Sequence, residues 1–423
     1  MMKFVSFQKG LIMTELYKLP DGWEWKKLGE LCNFIRGPFG GSLKKQIFKE
    51  SGNAVYEQSH AIYNQFEQIR YFIDDEKFEE MKRFKLRPNS LIMSCSGTIG
   101  KVAIVPNKIK KGIINQALLM LTPNDELNNI FLKLMIESNF FQTLLSENST
   151  GAAIANVASV KVLKEIKIPL PPLSEQKRIV SKLDKLFDKI DKGVALHQKN
   201  MDEADLFMGS VLNDVFGELE EKYEAKSLEN LISISSGNYF NKKEYTNDGV
   251  RIFKINNVTF GRAKWDNVDY LPLEYIEKYP NLVLEENDLL LALNRPLLNG
   301  KLKITFLKSE DVPSILYQRV GKIEPLEFGK LSKEFIFWYF NSPKFIDIFE
   351  SKLLGSDQPY INNKNLYSIL MIIPPLNIQQ KTVKYLDEIS EKIEKLKNAQ
   401  KEKMESLTAL KASILDKAFR GEL

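Results

Sequence analysis

The 423-residue chain is poor in the residues that most often carry chemistry, with two cysteines and two histidines. Cys32 and Cys95 lack the close spacing of a zinc or redox motif, so no disulfide framework or metal site is expected. His60 and His197 leave no persuasive serine–histidine or cysteine–histidine pair. No stretch of about 18 apolar residues exists to span a membrane, and the first residues lack a basic patch followed by an apolar run. A cytoplasmic protein is the expectation. Charge of one sign is also lacking: 60 basic residues against 55 acidic leave a net +5, which permits a nucleic-acid partner without demanding one.

Familiar catalytic strings are missing too. Gly37-Pro38-Phe39-Gly40-Gly41 is glycine-rich but lacks the Gly-Lys-Ser/Thr that grips phosphate, and reads as a flexible loop. Asn294-Arg295-Pro296-Leu297 comes nearest to a methyltransferase catalytic loop, yet lacks its second proline and its aromatic residue. Asp21 and Glu24 lie too close in sequence for the strand pair that presents nuclease carboxylates around magnesium. The segment reads as the start of a strand packed by Trp23 and Trp25. The chain is expected to be non-catalytic, with no cofactor or metal of its own.

What is present is a duplication. Pro171-Pro172-Leu173 aligns with Pro374-Pro375-Leu376, Gln176 with Gln379, Leu183-Asp184 with Leu386-Asp387, and Leu212 and Phe216 with Leu415 and Phe419. Each copy closes on Gly-Glu-Leu, at 217–219 and 421–423. An internal repeat marks a structural unit, and this one is helical. Apolar residues recur at threes and fours through Ile179, Leu183, Leu186 and Ile190, then Met201, Ala204, Met208, Val211 and Val215. The second copy repeats the pattern with Leu386, Ile389, Ile393, Leu396, Leu407, Leu410 and Ile414. So narrow a stripe flanked by Lys and Glu is a coiled-coil seam. Ser174 and Asn377 are the expected N-caps, and the glycines after the last apolar residues the expected stops. Roughly 44 residues at 1.5 Å each give a helix of about 65 Å. Because 220–372 is long enough for a compact domain with neighbouring ends, the second helix is expected to run back beside the first. Surface helices on separate domains would instead show a broader apolar face. At mid-seam His197 matches Gln400, which predicts either a polar layer fixing register or two side chains turned to solvent.

The remaining halves echo one another faintly. Lys27-Leu28-Gly29-Glu30-Leu31 before Gly37 parallels Ser227-Leu228-Glu229-Asn230-Leu231 before Gly237, Asn89-Ser90-Leu91-Ile92 parallels Asn287-Asp288-Leu289-Leu290, and Gly100-Lys101 parallels Gly300-Lys301. Apolar runs at 91–93, 102–105, 252–255 and 302–306 predict strands, and 128–147 and 332–352 predict helices. The expected fold is α+β, with a first domain at 1–170, a long helix at 171–217, a second domain at 218–373 and a second long helix at 374–423.

These segments together resemble one family. Leu19-Pro20-Asp21-Gly22-Trp23-Glu24-Trp25-Lys26-Lys27-Leu28-Gly29-Glu30 is similar to the opening of a target recognition domain from type I restriction–modification specificity subunits. Gly97-Thr98-Ile99-Gly100-Lys101-Val102 resembles that domain's internal loop, Ile168-Pro169-Leu170-Pro171-Pro172-Leu173-Ser174-Glu175-Gln176 the start of its long helix, and residues 413–423 the end of such subunits. The likeness covers essentially the whole chain. It departs from the family at 294–301, which replaces the Gly-Thr-Ile-Gly-Lys loop, and at Ile378, which replaces Glu175. The resemblance implies a DNA-binding subunit reading a split target, one half per domain. It implies docking of two modification (methyltransferase) subunits and of restriction subunits, with S-adenosylmethionine, ATP and Mg2+ supplied by those partners.

Lysine and arginine suit phosphate contacts, and Asn, Gln and Arg suit base edges in the major groove. The candidate DNA-contacting residues are therefore Lys44, Lys45, Gln58, Ser59, His60, Ser96, Thr98 and Lys101 in the first half. In the second they are Lys254, Asn256, Asn257, Arg295, Asn299 and Lys301. Two other readings stand beside this one: a coiled-coil scaffold without a DNA role, and a self-contained DNA-modifying enzyme.

Overall fold

The computed structural model describes residues 17–147, 159–327 and 329–423; residues 1–16 and 148–158 of the expected first domain lie outside these. Two compact units divide the chain: Met1–His197 together with Glu402–Leu423, and Gln198–Lys401. Both boundaries fall inside the long helices, Leu173–Glu220 and Leu376–Phe419. Each unit thus contains the head of one long helix and the tail of the other.

In the first unit a four-stranded antiparallel sheet has the order Cys32–Arg36, Leu118–Pro123, Leu91–Ser94, Val102–Ile104. Its two faces meet different partners, as the period of two dictates. Leu91, Met93, Leu119 and Leu121 pack with Phe131, Met135 and the long-helix residues Ile179, Leu183, Leu415 and Phe419. Ile92, Leu118 and Met120 pack the other way, onto Ala54, Tyr56 and Ile114 of a three-stranded sheet. Strands buried on both faces read as unbroken apolar runs rather than alternating ones, which is why 91–93 is legible as a strand.

The second unit repeats the plan. Its main sheet runs Ile232–Ser236, Val320–Pro325, Leu289–Ala292, Ile304–Phe306, with Phe260–Gly261 added at the edge. Leu289 and Leu291 face Phe335, Phe349, Phe216 and Leu386, whereas Leu290 and Ala292 face Phe253 and Leu316 of the smaller sheet. A short strand pair closes each domain: Glu24–Lys27 with Lys167–Leu170, and Ala225–Ser227 with Leu370–Ile372.

The strongest repeated contact lies where each domain meets a long helix. Gln176 is fully buried; its Oε1 accepts from the Asn128 backbone N–H at 2.8 Å, and its Nε2 donates to Glu126 O at 2.8 Å and Pro171 O at 2.9 Å. Gln379 does the same, accepting from Ser332 N–H at 3.0 Å and donating to Lys330 O at 2.7 Å and Pro374 O at 2.8 Å. Asn128 and Ser332 are themselves the N-caps of helices Asn129–Glu137 and Lys333–Phe340. One side chain therefore fixes the first turn of a long helix against the start of a domain helix.

The long helices run antiparallel within each unit: as residue number rises along one, it falls along its neighbour. In the first unit a Cβ on Gly193 would stand 3.2 Å from Leu407, and Lys411 bonds Asp191 at 2.7 Å. In the second Asn200 donates to Gln400 at 3.4 Å and Lys397 bonds Asp205 at 3.0 Å. Gln400 thus takes a polar neighbour; His197, half-buried, belongs to the other unit.

Several sequence expectations need correcting. The helices begin at Leu173 and Leu376, and the carbonyls of Pro172 and Pro375 accept their first helical bonds, from Gln176 and Gln379. Ser174 and Asn377 therefore sit inside the first turn rather than capping it. Gly217 does not stop the first helix, which continues to Glu220, where Tyr339 and Lys344 bond the Glu220 carboxylate. Gly421, at φ +75°, does follow the end of the second. The helices expected at 128–147 and 332–352 are each broken in two, at the buried Ser138 and Ser342. Each hydroxyl bonds back to a carbonyl three residues earlier and accepts from a backbone N–H three residues later, as local serine bonding allows.

Replacing Gln176 or Gln379 by Ala strands three backbone groups, one of them in a fully buried bond, and a buried polar group left unpaired costs about 1–3 kcal/mol. Either substitution is expected to lower the stability measured by urea unfolding by at least that much. A loss under about 0.5 kcal/mol would show that the glutamine does not carry this joint.

Candidate nucleic-acid interface

The domains share a backbone device that sets up their loops. A Cβ on Gly37 would lie 1.8 Å from Asn115 O, and one on Gly237 2.1 Å from Leu316 O, so only glycine fits at either crossing. Two residues beyond each glycine an aromatic side chain stands in solvent: Phe39 is 92% exposed and Tyr239 61%. A one-turn helix with exposed lysines follows in both, Lys44 and Lys45 in the first domain and Lys242 and Lys243 in the second. Phe39, Tyr239, Lys242 and Lys243 escaped the sequence reading, although the matched glycines would have led to them.

A second loop in each domain leaves the central strand of the main sheet. In the first, residues 95–101 turn back to Val102–Ile104, tied by Gly100 N–H to Ser94 O at 3.0 Å and by Gln142 Nε2 to Gly100 O at 3.1 Å. Ser96 is half-buried, and Thr98 and Lys101 are exposed. Helix Gln58–Ile62 packs across the two strands that carry this loop. Gln58 and Ser59 are half-buried there, and the Gln58 Oε1 is buried with no hydrogen-bond partner among the described residues.

In the second domain the same connection, 293–303, is longer. It carries its own hairpin, Leu297–Leu298 with Lys301–Leu302, turning at Asn299 and Gly300 with φ +52° and +71°, the backbone that a two-residue Asn-Gly turn supplies. The base of the loop is fastened to 359–361 by Arg295 N–H to Pro359 O at 2.6 Å and Ile361 N–H to Leu293 O at 2.9 Å. Arg295 and Asn299 are exposed, as is Asn256 beyond the smaller sheet.

Four candidates are committed to partners within their own unit. His60 is 1% exposed; its Nδ1 meets Glu57 N–H at 2.9 Å, its Nε2 meets Gln68 O at 3.1 Å, and its ring lies edge-on to Tyr56. Asn257 is 4% exposed, accepting from Lys254 N–H and donating to Lys264 O, both at 2.7 Å. The buried side chains of these two spend their polar atoms on holding loops in place. Lys254 pairs with Asp269 and lies 4.6 Å from the centre of the Tyr245 ring. Lys301 bonds Asp205 of the first long helix at 2.8 Å. Burial works to raise the Asp205 pKa, but its bonds from Lys301 and Lys397 outweigh that and leave the carboxyl below its usual range.

Strand register also corrects the pairing of the two loops. Leu91 faces Ile104 and Met93 faces Val102, after which Ser94 N–H bonds Lys101 O. In the second domain Leu289 faces Phe306 and Leu291 faces Ile304, after which Ala292 N–H bonds Lys303 O. Lys101 therefore corresponds to Lys303. The Gly-Lys string at 300–301 misleads because the inserted hairpin displaces it by two residues.

Comparison with known proteins places this geometry in context. The type I restriction modification DNA specificity domain matches residues 20–197 and again 220–406. The MjaVIII specificity subunit of a type I restriction enzyme from Methanocaldococcus jannaschii is 31% identical, covering 100% of this chain and 98% of that protein. The EcoKI specificity subunit from Escherichia coli is 25% identical over 96% of this chain and 90% of its own. Among solved structures, a chain from a type I R-M system assembly superposes with a TM-score of 0.71 at 20% identity, covering 96% of this chain and 100% of that one. The HsdS subunit from Thermoanaerobacter tengcongensis gives 0.50 at 22% identity, covering 97% and 99%. At these identities the structural likeness speaks to the fold.

Exchanging Asn257 for Ala leaves a part-buried backbone donor and acceptor without their side-chain partner, with an expected loss of about 1–3 kcal/mol in thermal unfolding. The exposed neighbour Asn256, exchanged the same way, is expected to change stability by under about 0.5 kcal/mol. Equal effects at the two positions would refute the division between loop-holding and solvent-facing residues.

Proposed function

Because the chain belongs to the type I restriction modification DNA specificity family, with the domain present twice, we propose that it selects the DNA target of a modification and restriction complex. Each domain reads one half of a bipartite sequence. The observation that carries this reading is one frame built twice with different loops: glycine crossing, exposed aromatic, main sheet and glutamine joint recur, while 95–101 and 293–303 differ in length and content. An unlike pair of loops on a like frame suits an asymmetric target.

Cations fix such a module on the phosphate backbone, and side chains reaching base edges choose the sequence. Lys44, Lys45 and Lys101 are exposed cations without a carboxylate partner among the described residues of the first domain. Thr98, Asn256, Arg295 and Asn299 are exposed groups able to bond base edges. Two modules on one duplex bind with an advantage in effective concentration when their spacing matches the target. The long helices join both readers in one chain, and their outward faces dock modification and restriction subunits. Methyl transfer from S-adenosylmethionine and ATP-driven cleavage with Mg2+ belong to those partners. No described helix is long and apolar enough to cross a membrane, and the cytoplasm, where such partners meet DNA, is the compartment this reading assigns.

Reconstitution tests it. With a modification subunit, the chain is expected to direct methyl transfer to one sequence with two separated halves, binding it in a salt-dependent way; alone with DNA and methyl donor, it is expected to transfer nothing. Methyl transfer by the chain alone would make it an enzyme. A complex that binds every sequence equally would reduce it to a scaffold.

A further inference from the structure

Register makes Lys303 the partner of Lys101, and its surroundings differ sharply from those of Lys301. We propose that Lys303 and Arg295 together form the second domain's docking point for a DNA acceptor oxygen, while Lys301 positions the hairpin. This rests on the proposed reading of the chain as a DNA-recognition subunit.

Leu302 and Ile304 point into the core shared with the helices, so alternation turns Lys303 to the face of Leu290 and Ala292, as it turns Lys101 to the face of Ile92 and Ala103. Lys303 is half-buried at the base of the loop, its N–H bonded to Pro296 O at 2.8 Å, one residue from Arg295. No carboxylate bonds either side chain among the described residues. Asp205, the long-helix carboxylate that meets the hairpin, is already committed to Lys301 and Lys397. Burial, and then the Arg295 charge, hold the Lys303 pKa below its ordinary value. Two neighbouring cations, one of them partly desolvated, are an unfavourable arrangement in the free protein. An anionic or electron-rich oxygen between them relieves both the repulsion and the desolvation.

A phosphate oxygen and the guanine O6/N7 edge offer the same acceptor chemistry. Lys301, by contrast, spends its amine on the long helix. Its exposed pair with Asp205 contributes little stability, but it pins the hairpin that begins two residues after Arg295. Arg295 is itself set at φ +45° by its bond to Pro359. Backbone bonds, Arg295 N–H to Pro359 O and Lys303 N–H to Pro296 O, therefore hold both residues at the loop base.

The test uses the full chain with its modification subunits and a duplex carrying the target, titrated across salt concentrations. Lys303→Gln is expected to weaken binding about tenfold or more, and Lys303→Arg to restore most of the loss. If the acceptor is a phosphate, the log–log salt slope falls by about 0.9 and all sequences suffer alike. If it is a guanine edge, the slope holds and discrimination relaxes at one base pair, with Arg295→Gln relaxing the same one. Lys301→Gln, which loosens the hairpin without removing a cation from the docking point, is expected to weaken binding less than Lys303→Gln does and to keep the parent's salt slope. The free Lys303→Gln chain is expected to melt no lower than the parent, because a crowded cation has been removed.

Parent affinity and slope in Lys303→Gln, or the loss appearing in Lys301→Gln instead, would overturn the site. So would a lower melting temperature for Lys303→Gln, which would make the lysine part of the scaffold. A parent complex without sequence-selective binding would count against the reading of function; a selective parent with an indifferent Lys303→Gln counts against this site alone.

Discussion

A single buried glutamine at the head of each long helix is the joint on which the architecture depends. Gln176 and Gln379 each satisfy three backbone groups drawn from a domain helix, a connecting loop and the proline turn before the long helix. An unpaired amide in that setting costs more than the hydrogen bonds themselves contribute, so the three segments hold together or separate as one. The apolar seam reinforces the joint. Ile179, Leu183, Leu415 and Phe419 complete the first domain's core, and Val211, Phe216 and Leu386 the second's. In each domain one face of the main sheet is therefore closed by the long helices, while the other packs on the domain's own smaller sheet.

That frame frees the loops to diverge. Residues 95–101 and 293–303 leave equivalent strands at equivalent points, yet one is a compact turn and the other carries a hairpin pinned to a helix by Lys301 and Asp205. Sequence change in such loops costs little stability, since the strands below are buried on both faces and do not depend on what the loop presents. Specificity can change while the scaffold stays, and the duplication holds two specificities in one chain.

The helices were legible because a narrow stripe of apolar residues at threes and fours fits a helical seam and little else, and strands because apolar runs such as 91–93 are unbroken. Helix ends were less so. Gly217 and Gly421 look alike in sequence, but only Gly421 takes up a left-handed backbone after the helix has ended. Ser138 and Ser342 break helices through bonds to their own neighbours, which periodicity does not register. Among the site candidates, residue type pointed to exposed Arg295 and Asn299 and equally to buried His60 and Asn257, whose polar atoms serve the fold. Lys303 stayed hidden because an inserted hairpin moves its counterpart of Lys101 off the matching Gly-Lys string, and only strand pairing restores it.

The central claim is that two readers of different sequence occupy equivalent places on one duplicated frame. The most direct measurement is the methylated target of a chain whose residues 225–372 are replaced by 24–170, the segments that the two closing strand pairs delimit. The account predicts a symmetric target: the first half-site twice, once inverted, across the parent's gap. A chimera that folds and methylates but keeps the parent's second half-site, or shows no fixed gap, would contradict it.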